Sequence, residues 1–211
     1  MIAWFHNEFD SERDSFYKEF HNQDNMILSE NKEGSFITKD IPLIRMIYKI
    51  PKSEFPLNTT IELISKYTHG SENRKKWDKG LKDYKIIEGD DANGILYSWM
   101  NSPIKLISER DCVDKKADFI ENGDFYSFAT STEDVVYDQV ENVTRIVDYV
   151  SFVCITMDET YYIFKTLSQI DIKSSFAAMS KNLLPRKLKT WYSDLKNVMK
   201  NDYENVKVSE E

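Results

Sequence analysis

Flexible and reactive residues are scarce in this chain. Its 211 residues include only 6 glycines and 5 prolines, too few for a low-complexity or collagen-like polypeptide. Two cysteines, Cys112 and Cys154, and three histidines, His6, His21 and His69, lie too far apart to give a metal-site spacing. A Gly-x-Ser-x-Gly nucleophile elbow is absent as well. No apolar run approaches the roughly 20 residues that a spanning helix requires, so the protein is not expected to be membrane-integral. Basic residues are outnumbered 28 to 36, for a net charge of -8, which argues against a general nucleic-acid binder needing a basic face for phosphates. The start, Met1 to Glu8, lacks the basic and apolar regions of a signal peptide. The expectation is a cytoplasmic protein with buried thiols rather than a disulfide, and with no cofactor.

What is present is enough to build a core. Hydrophobic residues make up 41% of the chain, with 12 Tyr, 12 Phe and 4 Trp, and the length fits one domain better than two. Phe5, Phe9, Phe16 and Phe20 mark one face of an N-terminal helix, here residues 1–24 of the same domain. Its other face carries Glu8, Asp10, Glu12 and Asp14, which anionic lipid would repel. Short strands are expected at Met26–Ser29, Ser35–Lys39 and Ile44–Ile50. Thr59 and Glu62 have capping-box spacing for a helix whose buried side is Ile61, Leu63, Ile64 and Tyr67, with Gly70 as the stop. Lys82–Glu88 and Ile95–Trp99 flank a turn where Asn93-Gly94 supplies the positive φ of a hairpin. Strands Arg110–Ile120, Phe125–Thr132, Thr144–Ile155 and Tyr161–Ile172 follow, with an acidic loop from Glu133 to Glu141. Leu184, Leu188, Trp191, Leu195 and Val198 form the stripe of a final amphipathic helix from about Ser175 to Asn201. Pro185 should kink it, and the tail 203–211 should be frayed.

One stretch ties these elements together. Arg74-Lys75-Lys76-Trp77-Asp78 leads through the hairpin to Tyr97 and Trp99, then past Pro103 to Ser108-Glu109-Arg110-Asp111, and Thr144-Arg145 opens a later strand. In this order and spacing the chain resembles the START (StAR-related lipid transfer) domain family, in pattern closest to its phosphatidylcholine-transfer-like single-domain members. The resemblance covers roughly residues 25–202. It implies an α+β helix-grip fold, in which a curved antiparallel sheet wraps around the long C-terminal helix and encloses a lipid tunnel. It also implies a non-catalytic carrier or sensor of a single lipid that makes transient contact with a membrane surface and none with nucleic acid. Lipid-contacting candidates are Arg74, Tyr97, Trp99, Arg110, Cys112, Lys116, Tyr149, Leu184, Leu188 and Trp191, and Leu106 and Ile107 lie on a loop suited to touch the bilayer.

The departures from the pattern bear on the ligand. Where family members carry a buried acid and an arginine, this chain has Trp99 and Lys116, so an internal acid–base pair is not expected. Positions lined by aromatics in choline-binding members read Ser98 and Cys112. Without an acid in the cup, Arg110, Lys116 and Arg74 lean towards a phosphate-bearing lipid over a sterol or ceramide. Trp77 and Asp78 are expected to anchor their turn, and Lys116 is left open between a ligand contact and neutralisation by Asp114, two residues away on the same strand face. Two other classes stand beside the carrier: an enzyme on the related cup fold, such as a cyclase or hydrolase, and an interaction module with a vestigial pocket. A Cys112 nucleophile would need a neighbouring base.

Overall fold

The computed structural model describes residues 26–31, 43–102, 108–133, 135–171 and 189–204. The expected N-terminal helix, the strand at 35–39, the loop bearing Leu106 and Ile107, and the helix positions Leu184, Pro185 and Leu188 lie outside the described residues.

Among the described residues nine strands form one sheet: β1 (Met26–Asn31), β2 (Leu43–Pro51), β3 (Leu81–Gly89), β4 (Asn93–Met100), β5 (Arg110–Glu121), β6 (Asp124–Ser131), β7 (Thr144–Ile146), β8 (Tyr149–Met157) and β9 (Tyr161–Ile170). The order is β1-β2-β9-β8-β6-β5-β4-β3, so β2, early in the chain, pairs with the last strand. All pairings are antiparallel except that of β7, which lies parallel to the start of β5. The single long strand expected from Thr144 is therefore two. Arg145 makes a double hydrogen bond to the fully buried Asp111, 2.9 Å at each oxygen. That pair fixes β7 on β5, and the chain then steps across to pair with β6 as β8.

The hairpin turns are set by local backbone chemistry. Between β3 and β4 the positive φ falls on Gly89 (77°), not on Asn93 or Gly94, and Asp90 Oδ1 accepts the amides of Ala92 and Asn93. Between β5 and β6, Asn122 and Gly123 both take positive φ, 54° and 85°, as a two-residue primed turn requires.

Two helices, α1 (Ile61–Thr68) and α2 (Ser71–Trp77), follow a 3-10 turn at Lys52–Glu54. The cap of α1 is Thr60, whose hydroxyl accepts the Leu63 amide. Thr59 turns back to the Pro56 carbonyl, and Glu62 pairs with Lys66 instead of closing a capping box. Helical spacing buries Ile61, Ile64, Ser65 and Thr68 and leaves Leu63 exposed. Gly70 is not a left-handed stop. It caps α2, where any side chain would strike the Lys66 carbonyl.

A final helix, α3 (189–204), runs on past Tyr203. It lies against one face of the sheet, burying Tyr192, Leu195 and Met199 among Ile50, Phe125, Ile155, Tyr162 and Phe164. Tyr192 stacks on Tyr48 at 4.3 Å, Lys196 pairs with Glu54, and Tyr67 donates to Asp202. This helix-bearing side is called the inner face below. The outer face has its own apolar clusters, one of Tyr126, Phe128, Val150, Phe152, Cys154 and Leu167 and another around Tyr97 and Val113. Cys112 and Cys154 are buried thiols, neither in a disulfide.

Candidate functional site

Residues paired across an antiparallel ladder share a face, and faces alternate with period two. Starting from Phe125 and Ile155 under α3, the pairings carry the inner face across β6 to Asp118, Lys116 and Asp114 of β5, then to Leu96 and Ser98 of β4 and Tyr84 of β3. On β8 and β9 the same face shows Tyr149, Ser151, Thr166, Ser168 and Ile170.

Burial along β9 exposes how this face is used. Tyr162 and Phe164 are sealed beneath α3, whereas Thr166, Ser168 and Ile170 further along the same face keep partial solvent access. Their outer-face neighbours Leu167 and Gln169 are 2% and 0% exposed. Tyr149, Ala129, Ser131, Ser98 and Asp114 are likewise half-buried. The helix thus fills one end of the inner face, and the other end is lined by part-accessible, largely polar side chains.

A charged cluster sits beside that region. Lys116 Nζ pairs with Asp118 Oδ2 at 2.7 Å and donates to the carbonyls of Asp91 (2.7 Å) and His69 (3.0 Å). An internal acid–base pair therefore exists, contrary to the sequence expectation, and it uses Asp118 rather than Asp114. Burial pushes the Asp118 carboxyl up to about 6 against the pull of Lys116 and of the Ser127 hydroxyl. Its Oδ1 is buried and makes no hydrogen bond of good geometry. Asp114 is also pushed up to about 6 by burial, opposed by the Cys112 thiol at 2.6 Å and by the nearby Arg74 charge. His69, packed on Phe125, is held well below the usual imidazole range by burial, then by Lys116 and Arg74, and is neutral. Burial raises the phenols of Tyr84 and Tyr149, with Asp114 adding to both.

The candidates chosen from sequence divide between the faces. Cys112, Lys116 and Tyr149 come together on the inner face, and Arg74 reaches its edge from α2. Arg110 shares their strand face, but its guanidinium folds back onto the Ser108 carbonyl (2.6 Å) and hydroxyl (2.7 Å). Tyr97 and Trp99 project from the outer face. Tyr97 packs on Tyr137 at 4.5 Å, and Trp99 donates to Glu109 at 2.9 Å while Lys82 lies over its ring. With Lys85, Asp83 and Asp138 these aromatics line an open outer groove of about 410 Å³. The inward positions of β4 are instead Ser98 and Met100, and Ser98 faces Cys112 directly.

Trp191 belongs to a clasp between helices. Asp78, 6% exposed, accepts Arg74 Nε at 2.8 Å and Trp191 Nε1 at 3.0 Å on one oxygen, and the Gly80 amide at 2.9 Å on the other. Trp77 donates to the Tyr67 carbonyl and packs on Trp191 at 4.9 Å. The turn is anchored as the Trp-Asp step suggested. Asp118 and Tyr84 were not singled out from sequence, although alternation along β5 from Cys112 would have placed Asp118 inward.

No protein-family model matches the sequence, and no curated protein matches it. Solved structures do. The crystal structure of human STARD10 aligns at 16% identity over 96% of this chain and 84% of its own, with a TM-score of 0.62. Human StAR-related lipid transfer protein 5 aligns at 16% identity over 96% of this chain and 100% of its own, with a TM-score of 0.65. A STAR-related lipid transfer protein fragment from Xanthomonas axonopodis aligns at 12% identity over 84% of this chain and 99% of its own, with a TM-score of 0.58. Matches this distant in sequence speak to architecture. With its antiparallel sheet gripping a C-terminal helix, the chain has the START-like helix-grip fold.

Proposed function

We propose that the protein binds a single lipid on the inner face of the sheet, between the end filled by α3 and the polar cluster around Asp114 and Lys116, and carries or senses it without catalysis. The observation that carries this reading is the break in burial along β9. Inner-face Thr166, Ser168 and Ile170 stay part-accessible while the outer-face residues between them are sealed. Interior surface left part-accessible is surface that a guest can cover, and taking a lipid's apolar part out of water is worth about 25 cal/mol per Å². The structural likeness to proteins described as lipid transfer proteins points the same way.

The polar end of the guest meets the Asp114, Lys116 and Tyr149 region in this reading. Cys112 supports a non-catalytic role. Burial, with Asp114 beside it, pushes the thiol far above its ordinary value, so Asp114 is no base for it and the nucleophilic thiolate is suppressed. Mass spectrometry of organic extracts of the purified protein tests the proposal. One lipid per protein molecule is expected. An empty extract, together with failure to take any lipid from vesicles, would sink it.

A further inference from the structure

One inner-face carboxylate stands apart from the cations around it. Arg74 holds Asp78 at 2.8 Å, Lys116 holds Asp118 at 2.7 Å, and Arg110, four residues from Asp114 along β5, turns onto the Ser108 carbonyl and hydroxyl. Among the described residues, Asp114 has no cation in contact. Its contact is the Cys112 thiol, and Arg74, though near enough to favour its charge, has its Nε on Asp78. Asp114 is only half-buried, on the part-accessible face, while Asp118, with a side chain 9% exposed, keeps Oδ1 buried without a well-formed hydrogen bond. Asp91 adds a further negative charge near Asp118 and Tyr84. The remaining titratable groups facing Asp114 are neutral or already counted: Cys112 on its own strand, Tyr84 on β3, Tyr149 on β8, and His69 beyond α1.

A buried carboxylate lacking a cation is stabilised far more by an incoming positive charge than by a neutral donor, and is destabilised by a phosphate. We propose that the lipid taken by this site is a long-chain amine, whose protonated nitrogen sits on Asp114, and that it is neither a phosphate ester nor a plain alcohol. This rests on the lipid-binding reading and deepens it. It also reverses the lean towards phosphate drawn from sequence, whose premise was a cup without an acid. Loading should depend on pH. An amine of the lysine type stays protonated well above neutrality, whereas Asp114 loses its charge as pH falls through about 6. The complex therefore forms near neutral pH and is released in acid.

The test offers octadecylamine, octadecanol and octadecyl phosphate separately, at equal mole fraction in phosphatidylcholine vesicles, and measures the lipid bound to re-isolated protein by mass spectrometry. Near neutral pH the amine should exceed the alcohol by about tenfold, the factor that 1.4 kcal/mol confers, and the phosphate should bind least. That preference should vanish at about pH 5, where the carboxylate is mostly protonated, and in Asp114→Asn at either pH. It should survive Asp138→Asn, a loss of the same charge on the outer face. Equal uptake of amine and alcohol, a preference for phosphate, or an amine preference indifferent to both Asp114→Asn and acid would each overturn the inference. If alcohol or vesicle lipid is bound without regard to charge, lipid binding stands and the headgroup assignment falls. If no lipid of any kind is bound, both fall together.

Discussion

At the scale of single residues, the inner-face carboxylates are costly to the fold. Asp114 has a folded-state pKa raised to about 6, so its contribution to stability is greatest below the ordinary carboxylate range and is lost as pH rises through that value. Asp114→Asn should therefore stabilise the protein near neutral pH by about 1–3 kcal/mol and should bring no gain below about pH 3, where both states bind the proton. Urea titrations of both proteins across this range check the prediction, and equal midpoints at neutral pH would refute it. His69 works with the opposite sign, since its lowered pKa costs stability as pH falls, and taking the difference between the two proteins cancels it. Trp77 is simpler. It is 7% exposed, packed on Trp191 and bonded to Tyr67, and Trp77→Ala should cost about 3–5 kcal/mol, read as a lower thermal midpoint.

Between elements, two buried carboxylates act as joints. Asp111 binds Arg145 through both oxygens and ties β7 to β5. Arg145→Met leaves that carboxylate buried without its cation, which should cost about 3–5 kcal/mol. Asp111→Asn combined with Arg145→Met should recover part of the loss, because it removes the stranded charge. A double mutant no more stable than Arg145→Met would mean that the charge itself is not what matters. Asp78 joins α2 to α3 through Arg74 and Trp191. Asp78→Ala should raise hydrogen exchange in 189–204 before it affects β8 or β9, since local opening follows the weakest shared contacts.

For the whole molecule, ligand binding and stability are one equilibrium. If the inner face holds a lipid in the folded state alone, stripping that lipid should lower the unfolding free energy by about 2.7 kcal/mol for ligand at about a hundred times Kd. The thermal midpoint should fall on delipidation and return when lipid is restored. A midpoint indifferent to lipid would argue against a bound guest.

Local chemistry is what the sequence by itself determined. Period-two alternation gave the strands from Leu81 onwards apart from the break after Ile146, and the apolar run after the expected cap at Thr59 gave α1, whose cap is one residue later at Thr60, because hydrogen-bonding and burial periods are written along the chain. The Trp77-Asp78 anchor and the free thiols were legible for the same reason. Alternation also put Tyr97 with Trp99, and Arg110 with Lys116, on common faces. Which face was inner was not written there, because a strand's two sides become distinct only when a helix packs on one of them. The tertiary structure sent Tyr97 and Trp99 outward, paired Lys116 with Asp118, which was not legible beforehand, and, among the described residues, left Asp114 without a cation in contact. It also split the strand at Thr144 and set β2 beside β9, pairings between residues more than a hundred positions apart that no local pattern specifies. The charge balance of the site, and with it the class of ligand, depends on those long-range pairings.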